Sequence, residues 1–120
     1  MKLGTWNVNG VRAVVKKDFE GWLAQSGLDV LGLQETKAQD DQVREALFGL
    51  SGDWHVYCSS AVKKGYSGTA ILSRVEPKAV THGIGVEGMD DEGRVTAAEF
   101  DGFHFVTVYT PNSSSGLKRL

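Results

Sequence analysis

Cysteine occurs once in the chain, at Cys58, and a single thiol excludes an internal disulfide framework and a zinc site built on cysteines. It reads as a small buried hydrophobe. Proline is also scarce, at 2 residues, whereas glycine reaches 15 of 120. Average glycine usage is ~7%, so the excess predicts many turns between short strands. No apolar run approaches the ~20 residues of a membrane-spanning helix. The start, Met-Lys-Leu-Gly-Thr-Trp, lacks the apolar stretch of a secretory leader. No membrane association and a reducing cytoplasm are therefore expected. Neither sign of charge dominates, since 13 basic against 15 acidic residues leave a net charge of −2. With 41% hydrophobic and 23% charged residues, the composition is that of one ordered globular domain.

What is present is an alternation of hydrophobic periods. Residues 2–8 read as a strand, ended by the turn-forming Asn7-Val8-Asn9-Gly10. Between Arg12 and Gln25, the residues Val15, Phe19, Trp22 and Leu23 fall on one face of a helix, and Gly27 stops it. Asp29 to Gln34 is nearly continuous in apolar residues, the pattern of a strand buried on both faces. Strand, helix, strand in this order predict a parallel pair with a right-handed crossover. Asp40 and Asp41 mark the start of a further helix running to about Gly49. Strands follow at Trp54–Ser59, Thr69–Ser73, Arg94–Phe100 and Phe103–Tyr109, the last two joined by the hairpin signal Asp101-Gly102. Leu117 to Leu120 reads as the first turn of another helix.

Three motifs have plain explanations. Gly83-Ile84-Gly85-Val86-Glu87-Gly88 has the letters of a dinucleotide fingerprint, but the acidic Met89-Asp90-Asp91-Glu92 follows where a helix should begin. It reads as a glycine-rich loop. His55, His82 and His104 lack the close spacing of a metal-binding pair, and His55 and His104 lie in strand patterns. Trp6, Trp22 and Trp54 lie on apolar elements and are read as core.

The informative residues end the strands. In an open α/β sheet, ligands gather beyond the carboxyl ends of parallel strands. Asn7 and Asn9 follow the first strand, Glu35 the second, and Tyr109 and Asn112 the hairpin. A carboxylate beside an amide offers hard oxygen donors suited to magnesium. Lys37, Lys63 and Lys64 add positive charge for an anionic substrate. On spacing alone, the alternative that these polar residues merely meet water stays open.

Five segments in order then resemble a known family. They are Thr5-Trp6-Asn7-Val8-Asn9-Gly10-Val11-Arg12-Ala13, Leu33-Gln34-Glu35-Thr36-Lys37, Gly65-Tyr66-Ser67-Gly68-Thr69-Ala70, Glu92-Gly93-Arg94 and Tyr109-Thr110-Pro111-Asn112. Together they resemble exodeoxyribonuclease III and the related abasic-site endonucleases of the endonuclease/exonuclease/phosphatase superfamily. The resemblance implies an α/β fold of the DNase I-like kind, a four-layer α/β sandwich of two mixed sheets with flanking helices. It implies hydrolysis of DNA phosphodiesters 5′ to abasic sites and trimming of 3′ ends, with Mg2+ as cofactor and Mn2+ able to substitute. Glu35 matches the family's metal-binding glutamate, and Asn7 an asparagine of the metal and phosphate network. Tyr109 matches the tyrosine that hydrogen-bonds the scissile phosphate. Asn112, Tyr66 and Lys37 match positions on the DNA-facing rim. Asn9 stands where many relatives have aspartate, which separates it from a metal role and leaves it on the DNA-binding side.

The family also carries a Gly-Asp-x-Asn segment and a late Ser-Asp-His, neither of which occurs in this chain. Residues 1–120 are therefore expected to be the N-terminal half of such a domain, without its C-terminal half and inactive alone. The expected partners are double-stranded DNA with abasic sites and either a complementary C-terminal half or a second copy of the chain. Two other readings accompany this one: a phosphohydrolase of the same superfamily with another substrate, and a non-catalytic folded fragment that binds DNA or its other half.

Overall fold

The first strand, β1 (Leu3–Asn7), pairs in parallel with β2 (Val30–Gln34), so that Asn7 lies opposite Gln34 and both strands end together. In the computed structural model, residues 1–50, 54–61, 67–82 and 93–109 are described. The link between the strands is helical, as its periodicity predicts, but it forms two helices, α1 (Val11–Val15) and α2 (Phe19–Ser26). The break falls at Asp18, which takes a left-handed backbone (φ 61°) and accepts a hydrogen bond from the Gly21 N–H at 3.3 Å. A short acceptor there satisfies one of the N–H groups that a helix start leaves unpaired. Gly27, at φ 72°, ends α2 as expected. The kink lets Val11 and Val14 share one buried face with Phe19 and Leu23. Trp22 corrects the expectation of a core residue: it is 44% exposed, capping a cluster with Trp6 and Phe19.

After β2 comes α3 (Asp40–Ala46), started by a reciprocal pair in which the Gln39 N–H donates to Gln42 Oε1 at 2.9 Å. A 3-10 turn, Phe48–Leu50, takes over where the sequence suggests a continuing helix. Two further strands, β3 (His55–Ser59) and β4 (Thr69–Ser73), complete a four-stranded mixed sheet ordered β1-β2-β4-β3, with all pairings antiparallel except the first. A second sheet, ordered β5-β6-β7, is wholly antiparallel: β5 (Ala79–His82), β6 (Val95–Phe100) and β7 (Phe103–Val108). The Asp101-Gly102 turn joins β6 to β7 as read. No strand was expected at β5.

The helices cover one face of the first sheet, where Val11, Phe19, Leu23 and Val43 meet Leu31, Leu33 and Leu72. The opposite face meets the second sheet through Val30 and Ile71 against Ala98 and Phe100. Gly32 permits this approach, because a Cβ there would come within 3.0 Å of Phe105 and Thr107. The described residues thus form three of the four expected layers, helix, sheet, sheet. On the outer face of the second sheet Val106 and Val108 are 51% and 52% exposed. Edges β1 and β7 lie side by side, flanking an open cleft of about 500 Å³ lined by Leu3, Thr5, Gln34, Phe105, Thr107 and Val108.

A candidate active site at the carboxyl ends of β1 and β2

The parallel register of β1 and β2 brings their two following loops together, and backbone hydrogen bonds then lace them. The Val8 N–H donates to Gln34 O (3.0 Å), the Gly10 N–H to Glu35 O (2.7 Å) and the Val11 N–H to Thr36 O (2.9 Å). The segment before β4 closes the other side: the Thr36 and Lys37 N–H groups donate to Gly68 O (3.2 Å) and Ser67 O (2.8 Å). Glu35 is therefore held by its own backbone and by both neighbours' backbones.

Side chains add to the lacing. Asn7 Oδ1 accepts from the Asn9 N–H at 3.1 Å, and Lys37 Nζ donates to Asn9 Oδ1 at 2.6 Å. Arg12 Nη2 donates to Lys37 O at 2.9 Å. Asn9 and Lys37 thus meet across the two loops. Three non-glycine residues of this small region have positive φ: Asn9 (48°), Glu35 (55°) and Lys37 (52°). For Glu35 and Lys37 the left-handed region is unfavourable, and such strain concentrates where surrounding contacts force a functional geometry.

Tyr109 belongs to the same end. Gln34 Nε2 donates to both Thr5 Oγ1 and Thr107 Oγ1 at 2.7 Å, and Thr107 Oγ1 donates to Leu33 O at 3.3 Å. Tyr109 lies two residues beyond Thr107, its N–H bonded to Arg94 O at 2.8 Å. Asn7, Asn9, Glu35, Lys37 and Tyr109 are therefore brought to one end of the two sheets. Tyr66, Asn112, Lys63, Lys64 and the Gly83–Gly88 loop fall outside the described residues.

Around this end the space between the sheets turns from apolar to polar. Ser59, Thr69, Thr96, Thr107 and His82 stand there, whereas Val30, Ala98 and Phe100 fill the far end. His55 is exposed, and His104 is exposed with Nε2 3.6 Å from Glu99 Oε1, so the three histidines do not converge. Cys58 is buried as read, and burial, then the Asp40 carboxylate beside it, push its thiol up to about 12. The sequence reading missed His82 and its hydroxyl partners, since serines and threonines on three separate strands carry no shared spacing.

The donor set suits a hard cation. Among the described residues no group of three His, Cys, Asp or Glu side chains gathers, and this end offers the Glu35 carboxylate with the amide oxygens of Asn7 and Asn9 in the laced loops. Magnesium is commonly bound by one or two carboxylates while keeping several waters, and Glu35 with Asn7 fits that need.

Comparison with known proteins agrees with this architecture. Residues 4–119 match the Endonuclease/Exonuclease/phosphatase family. The chain belongs to that family. It is 54% identical over its whole length to an exodeoxyribonuclease of Bacillus subtilis (strain 168), covering 46% of that protein. It is 47% identical to the DNA repair nuclease APEX1 of Danio rerio, again over its whole length and covering 39% of the relative. A solved AP endonuclease from Archaeoglobus fulgidus superposes with a TM-score of 0.79 at 33% identity, over 92% of this chain and 42% of that one. This member of the family thus spans half or less of the length of these relatives, with the character of an N-terminal half of an exodeoxyribonuclease III-like AP endonuclease.

Proposed function

We propose that this chain supplies the Glu35 and Asn7 part of a magnesium-dependent DNA-repair phosphodiesterase that cuts 5′ to abasic sites and trims 3′ ends. The supporting observation is the junction of β1 and β2, where Asn7 and Glu35 end neighbouring parallel strands and the Gly10 N–H grips Glu35 O at 2.7 Å. Glu35 and Asn7 would hold Mg2+. When bound, the ion supplies Lewis-acid polarisation of a phosphate oxygen and neutralises charge on the departing oxygen. Lys37 and Arg12, both at the rim, add positive charge toward the nucleic-acid backbone, which positions a duplex without reading its bases. Tyr109 presents a hydroxyl to a phosphate oxygen, a donor whose hydrogen bond strengthens as charge shifts. A net charge of −2 does not oppose this, because local clusters set the field.

The same reading makes the isolated chain inactive. Among the described residues the histidine at this end, His82, meets Ser59 Oγ rather than an aspartate. Groups that act as a unit lose most of the rate when one is absent. The test is magnesium-dependent incision of an abasic duplex by this chain alone, and by the chain with the remaining half of a relative added in trans. The reading predicts no cleavage in the first case and Glu35-dependent cleavage in the second. Robust cleavage by the chain alone, or restored cleavage that Glu35→Ala leaves intact, contradicts it.

A further inference from the structure

Among the described residues, the carboxylate and the ammonium at the ends of β1 and β2 both lack an opposite charge. Lys37 Nζ rests on Asn9 Oδ1 at 2.6 Å, a neutral acceptor. The ion pairs among the described residues, Lys78 with Asp101 and His104 with Glu99, include neither Lys37 nor Glu35. Lys37 is nevertheless no loose surface lysine. It is half-buried at φ 52°, its N–H donates to Ser67 O at 2.8 Å, and Arg12 Nη2 donates to its carbonyl at 2.9 Å. Glu35, Lys37 and Arg12 thus give this end one negative and two positive groups.

The two amides divide the signs between them. An ammonium and a backbone N–H can only donate, so both contacts fall on the amide oxygens and the orientation of each asparagine follows. Asn9 Oδ1 is taken by the ammonium, and a dication on the same oxygen would sit beside a positive charge. Asn7 Oδ1 accepts the Asn9 N–H at 3.1 Å and keeps a second lone pair. Glu35 and Asn7 are therefore the donors open to a cation. Lys37, Arg12 and the Asn9 Nδ2 hydrogens can serve only an acceptor.

We propose that this end takes its ligands as an ion pair: a divalent cation on Glu35 and Asn7 and a phosphodiester on Lys37 and Asn9 bind cooperatively, each raising the chain's affinity for the other. The pairing rests on the cation role proposed above. With two positive groups against one carboxylate, a dication arriving alone is repelled by Lys37 and Arg12, and a phosphate arriving alone is repelled by Glu35. Together the two ligands neutralise each other, and Mg2+ commonly completes its shell with phosphate oxygens besides one or two carboxylates. By linkage the effect is reciprocal. The cation therefore settles firmly only with nucleic acid in place.

The test measures two affinities in this chain and reads no activity. Mg2+ affinity is followed by amide shifts of residues 7–10 and 34–37, with and without a thymidine dinucleotide. Affinity for the dinucleotide is followed by its phosphorus signal, with and without Mg2+. Each should tighten by about fivefold or more, and by the same factor in both directions. In Lys37→Gln that factor should fall toward one, while Mg2+ alone binds more tightly than to the parent. Damage to the loops would weaken Mg2+ binding instead, which separates the charge of Lys37 from a merely structural part. Lys37→Arg keeps the charge and should keep the coupling. A factor of one in the parent, undiminished coupling or weaker Mg2+ binding in a folded Lys37→Gln, or loss of coupling in a folded Lys37→Arg would overturn the pairing. Failure of Mg2+ to shift the strand ends at all, with or without the dinucleotide, overturns the cation role as well. Shifts there with a factor of one overturn the pairing alone.

Discussion

Glu35 is the residue to which the proposed metal role falls, and its backbone says as much as its charge. A glutamate at φ 55° is held there by the hydrogen bonds of Gly10, Thr36 and Lys37 around it. Gly68 makes that arrangement possible, since at φ +94° a Cβ would meet Thr36 Oγ1 at 2.1 Å. Gly68→Ala is expected to cost about 1–3 kcal/mol in denaturant unfolding and to disturb the Thr36 amide in NMR; an unchanged midpoint would show that the loop adapts. Cys58 gives a pH prediction. Its thiol is raised from 9.0 to about 12, so the folded protein holds that proton through a range in which the unfolded chain has lost it. Stability from this source is complete below about pH 9 and falls as pH rises toward 12. Denaturation across that range should show a shallower decline in Cys58→Ala than in the parent.

At the scale of elements, much was legible because the period was strong. β2 reads as a buried strand from its unbroken apolar run, and every residue from Val30 to Leu33 is buried. Thr69–Ser73 and the Asp101-Gly102 hairpin agree with the structure for the same local reasons. The failures are also physical. A helical stripe persists through Arg12 to Gln25 although Asp18 divides it, because a cap changes the backbone without changing which side is apolar. Asp18→Ala should lower stability by about 1 kcal/mol, a fall in Tm of several degrees. Asp18→Gly should cost less, since glycine takes the left-handed conformation freely. β5 escaped notice because an edge strand with only Val80 facing the core has no alternation to read. The site was half legible: Asn7 and Glu35 stand out as polar residues at strand ends, whereas the hydroxyls beneath them converge only through pairing of the sheets.

For the whole molecule, the defining feature is that, among the described residues, two sheets end on the same side with unpaired edges. β1 and β7 leave strand backbone available beside a cleft that includes Leu3, Phe105 and Val108, and such edges recruit further strands. Sedimentation of the chain at micromolar concentration should show species larger than a monomer, and Val106→Lys with Val108→Lys should shift it toward monomer. A parent chain that stays monomeric would mean that these edges are tolerated in water. The relatives, more than twice as long, carry additional chain with which to cover such surfaces.

The central claim is that the Glu35 carboxylate and the Asn7 amide hold one divalent cation at the paired ends of β1 and β2. Paramagnetic broadening of amide signals on titration with Mn2+ tests it in this chain directly. The account predicts broadening centred on residues 7–10 and 34–37, displaced by excess Mg2+ and lost in a folded Glu35→Gln variant. Broadening centred on Asp40 and Asp41 instead, or broadening at the strand ends that survives Glu35→Gln, would contradict it.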